Sequence, residues 1–320
     1  MTEYDIYNTE TFPDRRLITT GWQGGRPKPV SHTFLSSHEE EEFNTTKGYF
    51  SEKYWKYANS TPIDYTLNIE GFRGNKEFDE IDWANTSVVI GCSFVFGHCI
   101  ENESTISEIL TREYGIPCVN GGQPGAGNQT IHHNAITFMK KYNPKKVIIL
   151  WSYPSRYTWM NVKDDMWVAE HIMPTSPISK KERKHGIIDL KIPTAYYDIE
   201  CYNSTYEWMV AKDTHTLLGN PQYNVCDKYL NGRIPDDPLW IKPKDMRFYD
   251  KVKEYDGLPM HTATYVSLED LQRPEIYEMI NSMYARDVKY YPDPGRIQLN
   301  HYGAQVNRDI ADLIYRENFT

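Results

Sequence analysis

The sequence predicts an α/β fold with a parallel central sheet. Three short apolar runs, at residues 87–90, 116–120 and 146–151, alternate with two stretches that have the apolar spacing of amphipathic helices. Strand, helix, strand, helix, strand within about 65 residues is typical of a parallel sheet joined by right-handed crossovers. At 320 residues the chain is longer than most single cores, so we expect this domain to carry additions.

The first helix is predicted over residues 103–114. Thr105 and Glu108 have the spacing of a capping box, and Gly115 supplies the stop. The second helix follows the glycine-rich loop at residues 121–128 and extends to about residue 142. Two further helices are predicted near the C-terminus, over residues 274–287 and 303–316.

The remaining sequence predicts an arm and an insertion. Residues 1–64 contain turn formers, an acidic run and scattered aromatic anchors, which indicates an extended N-terminal arm that packs on the domain surface or on a neighbour. The domain itself is expected over residues 65–320. Within it, residues 155–273 break into aromatic and proline-rich pieces, too long for a plain connection, and are interpreted as an insertion with short helices of its own.

Composition excludes several classes of function. The net charge is -9, from 35 basic and 44 acidic residues, and no basic stripe is present, so nucleic-acid binding is disfavoured. The polar start and the absence of an apolar run of about 20 residues favour a soluble, cytoplasmic protein without a leader or a membrane span. Five scattered cysteines fit a reducing compartment. The 25 Tyr and 8 Trp suit either sugar faces or a protein interface.

The glycine-rich loop does not have the pattern of a phosphate site. Asn128 follows Gly127 where a P-loop needs lysine, and the glycines do not fall as GxGxxG. The loop is instead a tight turn whose backbone N–H groups open onto a helix N-terminus. Such groups are suited to stabilise an oxyanion.

Ser93 follows the first predicted strand, and this loop follows the second. In a parallel sheet both lie on the same carboxyl edge, where such sheets bind their ligands. His301 comes just before the last helix. A serine, N–H donors and a histidine are the parts of an acyl-transfer site: nucleophile, oxyanion donors and general base. The alternative for Ser93 is an ordinary turn or helix-capping serine.

Three blocks of the sequence resemble the SGNH or GDSL hydrolase superfamily. GCSFVFG at residues 91–97 is similar to its GDSxxxG block, with Cys92 in place of the acid, and NGGQPGAGN at residues 120–128 is similar to its second block. QLNHYG at residues 298–303 resembles its last block, and EGFRG at residues 70–74 also recurs ahead of the serine block in phage-encoded and bacterial relatives.

The resemblance implies a flavodoxin-like, three-layer α/β/α fold and a serine esterase that needs no metal or cofactor. It implies Ser93 as nucleophile and the N–H of Gly125 as oxyanion donor. The family's third-block asparagine is missing, because Ser152 and Tyr153 follow the third strand, and Asn128 or Ser152 is then the substitute donor.

The last block allows two registers. In one, His301 is the base and Gln298 stands where the family has its acid; in the other, Gln298 replaces the catalytic histidine. We favour His301, because no other histidine follows His261. The acid then comes from Asp293 or Asp287, or is absent and the site is a Ser–His dyad.

Other reactive residues have simpler interpretations. Cys92 is expected to be a small buried hydrophobe rather than a thiol nucleophile. His132 and His133 lack partners at zinc-ligand spacing, so no metal site is predicted. Arg156 follows the third strand and either binds an anionic substrate group or pairs with a nearby acid.

The resulting hypothesis is a serine esterase that removes an acyl group, with acetyl the expected one, from a small-molecule or glycan ester. The alternative is a catalytically eroded binding or structural protein of the same fold, for instance a component of a phage particle that assembles through the N-terminal arm. The location is then the cytoplasm or, for a phage-encoded protein, the virion.

Overall fold

The computed structural model describes residues 17–20, 30–34, 40–41, 43–44, 62–150, 157–163, 166–172, 216–217, 240–241, 264–267, 273–274, 289–291, 296–299 and 301–320. The strands are β1 Thr19–Thr20, β2 Val30–His32, β3 Tyr65–Leu67, β4 Ser87–Gly91, β5 Cys118–Gly122, β6 Val147–Leu150, β7 Tyr157–Lys163, β8 Met166–Ile172, β9 Thr216–Leu217, β10 Trp240–Ile241, β11 Thr264–Ser267, β12 Lys289–Tyr291 and β13 Arg296–Leu299. The α-helices for which the described residues give both ends are α1 Ser93–Phe96, α2 Ile106–Glu113, α3 Asn128–Thr137 and α4 Ala304–Asn318.

The central sheet is parallel and has the order β10-β9-β6-β4-β5. Numbered along the chain, its strands run 2-1-3-4-5, which is the flavodoxin-like doubly wound order. Helices flank this sheet, with α3 against β4 and β6, and α2 against β5 and α4. The predicted three-layer α/β/α fold with a parallel central sheet is therefore confirmed. The direction of winding reverses between β4 and β6, which is where such sheets bind ligands.

The predicted helices and strands agree closely with the structure where it describes them. In α2 the Thr105 hydroxyl accepts the Glu108 N–H at 3.4 Å, as its capping spacing predicts, and Gly115 ends the helix region with a left-handed φ of 67°. Strand β5 begins two residues later than predicted. The reason is that the Ile116 N–H still bonds to the Leu110 carbonyl, so this residue belongs to the helix terminus. The helix predicted over residues 274–287 lies almost entirely outside the described residues.

The core lies between the sheet and its helices. Every residue of β4 and β6 is buried, as the unbroken apolar runs predict for central parallel strands. Beside them, five aromatic rings pack with centroid separations between 5.1 and 5.8 Å. These rings belong to Phe72, Phe78, Trp83, Phe138 and Tyr142. They fix the end of the helical segment that connects β5 to β6.

Described parts of the N-terminal region pair with the rest of the chain. Strand β1 is parallel to β8, and β2 is antiparallel to β3. Ile18 is fully buried, and its N–H and C=O bond to the Asn134 side chain at 2.7 and 2.9 Å. The span predicted as an insertion contributes β9 and β10 to the central sheet. The division into an arm, a domain and an insertion stays a prediction.

Gly122, the last residue of β5, is the position where backbone packing leaves no room for a side chain. A Cβ there would overlap the Phe96 backbone nitrogen and lie 2.7 Å from the Val95 carbonyl carbon. We expect Gly122→Ala to lower the free energy of unfolding by about 3 kcal/mol. Gly115→Ala, where a Cβ meets no atom within 4 Å but φ is positive, is the control and should cost about 1 kcal/mol. Urea unfolding at pH 7.5 measures both, and equal losses would contradict this packing account.

Candidate active site

Ser93 is delivered to the sheet edge by β4. The strand ends at Gly91, Cys92 is the N-cap residue, and Ser93 is the first residue of α1. Its side chain is only 5% exposed. Its carbonyl accepts the N–H groups of Gly97 and His98 at 3.0 and 3.1 Å, which closes the short helix. The nucleophile candidate therefore lies at the switch point of the sheet, and its carbonyl is held by two hydrogen bonds within the short helix and its turn.

His301 reaches Ser93 from the other end of the chain. It lies between β13 and α4, and its Nε2 is 2.8 Å from Ser93 Oγ. The two residues are 208 positions apart in sequence. His301 is partly exposed, whereas Ser93 is buried. This is the separation that a serine nucleophile and a general base require.

The glycine-rich loop is bonded to the end of β4, the strand that precedes Ser93. Gly122 is paired with Gly91 at the carboxyl ends of β5 and β4, and the Gln123 N–H donates to the Gly91 carbonyl at 3.0 Å. Gly125, two residues further on, has a left-handed φ of 75°. The loop is thus tied to the residue that precedes Cys92 and Ser93, on the same edge of the sheet, before it enters α3.

The structure describes only part of the remaining predicted site residues. Asn128 is the first residue of α3, and its side chain lies outside the described part of the structure. Gln298 belongs to β13, where its backbone pairs with Tyr265 and Lys289. Three candidates, namely Arg156, Asp287 and Asp293, and the third-block position Ser152 fall outside the described residues.

Two residues that contact the His301 ring were not predicted from the sequence. The Phe94 ring is 5.0 Å from it and the His98 ring 4.7 Å, measured between centroids. Both residues belong to the same SFVFGH segment as Ser93. The spacing around the serine could have indicated them, since a four-residue helix closed by a left-handed Gly97 (φ 79°) turns the next residue back toward its start.

Two buried polar side chains hold α1 in place. The Asn120 amide donates to the Val95 carbonyl at 2.9 Å and accepts the Gly122 N–H at 3.0 Å, so it joins α1 to the end of β5. Arg73, from the EGFRG segment, is 3% exposed and donates to carbonyl groups of the turn that follows α1. The sequence singles out EGFRG by resemblance but does not indicate this contact.

Burial lowers the pKa of a histidine in α3, the helix that follows the glycine-rich loop. His132 and His133 of α3 are both buried, and desolvation, with a smaller contribution from the neighbouring His133, lowers the pKa of His132 to about 4. Among the described residues, no group of three or more His, Cys, Asp or Glu side chains is arranged to hold a metal ion.

The neutral His132 makes stability depend on pH. The pKa of His132 is about 6.5 in the unfolded chain and about 4 in the folded chain. Between these two pH values the unfolded chain binds a proton that the folded chain does not, so the free energy of unfolding falls as the pH falls from 6.5 to 4. From pH 7.5 to pH 5 we expect this residue to remove about 2 kcal/mol from the free energy of unfolding. Urea unfolding of wild type and His132→Gln at both pH values tests this. The same pH dependence in both proteins would contradict it.

Comparisons with known proteins add little to this geometry. No protein-family model matches the chain, and no curated protein was found to match it. A solved structure from Desulfitobacterium hafniense DCB-2, described as a candidate lipolytic protein of the G-D-S-L family, is similar to it with a TM-score of 0.29 and 15% identity. The match covers 47% of this chain and 67% of that one. A likeness this weak carries no argument about activity, which has to come from the site itself.

Within the described residues, no helix combines the length and the apolar character needed to cross a membrane.

Proposed function

We propose that this chain is a serine ester hydrolase of the SGNH type, which removes an acyl group from a carbohydrate ester. Acetyl is the acyl group that we expect. The observation that carries the proposal is the 2.8 Å contact between Ser93 Oγ and His301 Nε2. It joins a serine at the sheet's switch point to a histidine that enters from the C-terminal segment. An ordinary capping serine needs no such partner, and Ser93 makes no N-terminal capping contact of its own because Cys92 is the N-cap residue.

The chemistry follows from this contact. With the His301 proton on Nδ1, Nε2 accepts the Ser93 hydroxyl proton while Oγ forms a bond to the ester carbonyl carbon. The resulting imidazolium returns the proton to the leaving alcohol oxygen as the carbon–oxygen bond of the ester breaks, and the acyl group remains on Ser93. Water then attacks the acyl-enzyme with His301 again as base, which releases the carboxylic acid and restores the hydroxyl.

The oxyanion of each tetrahedral intermediate needs N–H donors. We assign the backbone N–H groups of Ser93 and Gly125 to this role, with Asn128 as an additional donor. Support comes from the loop's attachment to the end of β4 through the Gln123 N–H. Asp293 is the proposed acid that orients His301, and Arg156 is the proposed contact for an anionic substrate group.

The aromatic composition is compatible with the carbohydrate assignment, although it suits a protein interface equally. The 25 Tyr and 8 Trp provide rings suited to stack on sugar faces. The reaction as written uses no metal, cofactor, nucleic acid or membrane. We propose a cytoplasmic location, or a virion location for a phage-encoded protein, with assembly through the N-terminal arm.

Hydrolysis of graded esters tests the proposal. We expect turnover of p-nitrophenyl acetate to exceed that of the butyrate and laurate esters, and we expect acetate release from O-acetylated oligosaccharides. A preference for laurate would contradict the acetyl assignment while retaining ester hydrolysis. Failure to cleave any of these esters would instead favour the alternative, a binding or structural protein that has kept the fold.

A further inference from the structure

We propose that His98 is a positioning residue for His301, and that Arg73 sets the backbone that carries it. This inference rests on the proposed function, because it concerns how the general base is held. His98 is 4% exposed, and its ring packs on the His301 ring at a centroid separation of 4.7 Å and an interplanar angle of 53°. Phe94 contacts the same ring at 5.0 Å. A tilted aromatic contact at this separation is favourable and restricts the rotation of the rings.

The segment that carries His98 is held by a buried cation. Arg73 Nη1 donates to the carbonyls of Phe96 and Gly97, and Nη2 donates to the Ile100 carbonyl at 2.9 Å. The guanidinium carbon also lies 4.8 Å from the centroid of the Tyr65 ring. One planar group therefore binds carbonyls on both sides of His98, which only an arginine fork can do at once.

Two further hydrogen bonds hold the backbone at His98 and Cys99. The Cys99 N–H donates to the Tyr65 hydroxyl at 2.9 Å, and the His98 N–H donates to the Ser93 carbonyl at 3.1 Å. The backbone of His98 is thus bonded to the nucleophile residue, while its ring packs on the base. His98 therefore contacts both members of the candidate catalytic pair, and a change in its ring acts on the position of His301.

Ring packing rather than ring nitrogen chemistry is the inferred role, and two variants separate them. His98→Asn removes the ring and keeps a buried polar group, whereas His98→Phe keeps a ring. With p-nitrophenyl acetate we expect His98→Asn to lower kcat by about 10- to 100-fold with KM changed by less than about threefold, because a base displaced by 1 Å loses rate rather than binding. His98→Phe should retain kcat to within about fivefold.

His133→Asn is the matched control, since it truncates another buried histidine outside the proposed site. It should lower stability without lowering kcat at a temperature where the protein is folded. An unchanged kcat in His98→Asn would overturn the proposal, and so would an equal loss in His98→Phe. The lysine of Arg73→Lys has no fork to bind the carbonyls on both sides of His98 at once. This variant should therefore also lower kcat, as His98→Asn does. No change in Arg73→Lys would overturn the role of Arg73.

A crystal structure of His98→Asn gives a readout that does not depend on activity. We expect His301 Nε2 to lie beyond hydrogen-bonding distance of Ser93 Oγ, or the His301 ring to occupy more than one rotamer. If the wild type hydrolyses no ester, the proposed function fails, but this structure still tests the positioning of His301. An unaltered Ser93–His301 pair in the variant would overturn the positioning role by itself.

Discussion

Ser93→Ala should abolish ester hydrolysis. The variant lacks the oxygen that is proposed to form the acyl-enzyme, so p-nitrophenyl acetate turnover at pH 7.5 is expected to fall by at least about 10³-fold. Because the serine side chain is small and 5% exposed, removing its hydroxyl should change the free energy of unfolding by no more than about 1 kcal/mol. Steady-state kinetics and urea unfolding of the same preparation separate loss of chemistry from loss of structure.

The matched control is Ser87→Ala in the same strand–helix unit. Ser87 is fully buried at the start of β4, six residues before Ser93, and it is not part of the proposed site. Its variant should retain full turnover. Turnover by Ser93→Ala at the wild-type rate would remove Ser93 from the mechanism altogether.

His301→Gln should have the second largest effect. The amide can fill much of the space of the imidazole but cannot accept and return a proton, so kcat is expected to fall by about 10²- to 10⁴-fold. In wild type the rate should also fall as the pH is lowered, since only the neutral imidazole accepts the Ser93 proton. Steady-state kinetics across pH values at which the protein stays folded measure both effects.

Because the two residues are proposed to act as one unit, their losses should not add. The double variant Ser93→Ala/His301→Gln is expected to be no slower than Ser93→Ala alone. Additive losses would show that His301 acts separately from the serine, and the 2.8 Å contact would then not be the basis of catalysis.

Much of this fold could be predicted because the central strands are continuous apolar runs. Strands β4, β5 and β6 and the cap of α2 carry their signals in a few adjacent residues. The strands β9 and β10 were not predicted, since two residues are too few to show a period. Helix α1 was also missed, because its apolar residues have no helical periodicity over a single turn.

The site residues also differ in how far local sequence patterns could indicate them. Ser93 and Gly125 belong to local motifs at strand ends, so the sequence could indicate that they share an edge. The sequence favours His301 over Gln298 because no other histidine follows His261, but the contact of His301 with Ser93 spans 208 positions, which no local pattern encodes. The spacing around Ser93 could place His98 near the serine, but its ring contact with His301 and the hydrogen bonds of Arg73 join separate segments, for which the sequence alone contains no signal.

Covalent labelling tests the central claim most directly. A fluorophosphonate reacts with a serine only where a base activates the hydroxyl, and peptide mapping by mass spectrometry identifies the modified residue. We predict that the wild-type protein is labelled at Ser93, that His301→Gln is labelled at least about 100-fold more slowly, and that Ser93→Ala is not labelled. A folded wild-type protein that stays unlabelled at Ser93, or that is labelled there equally fast without His301, would contradict the assignment of Ser93 and His301 as nucleophile and base.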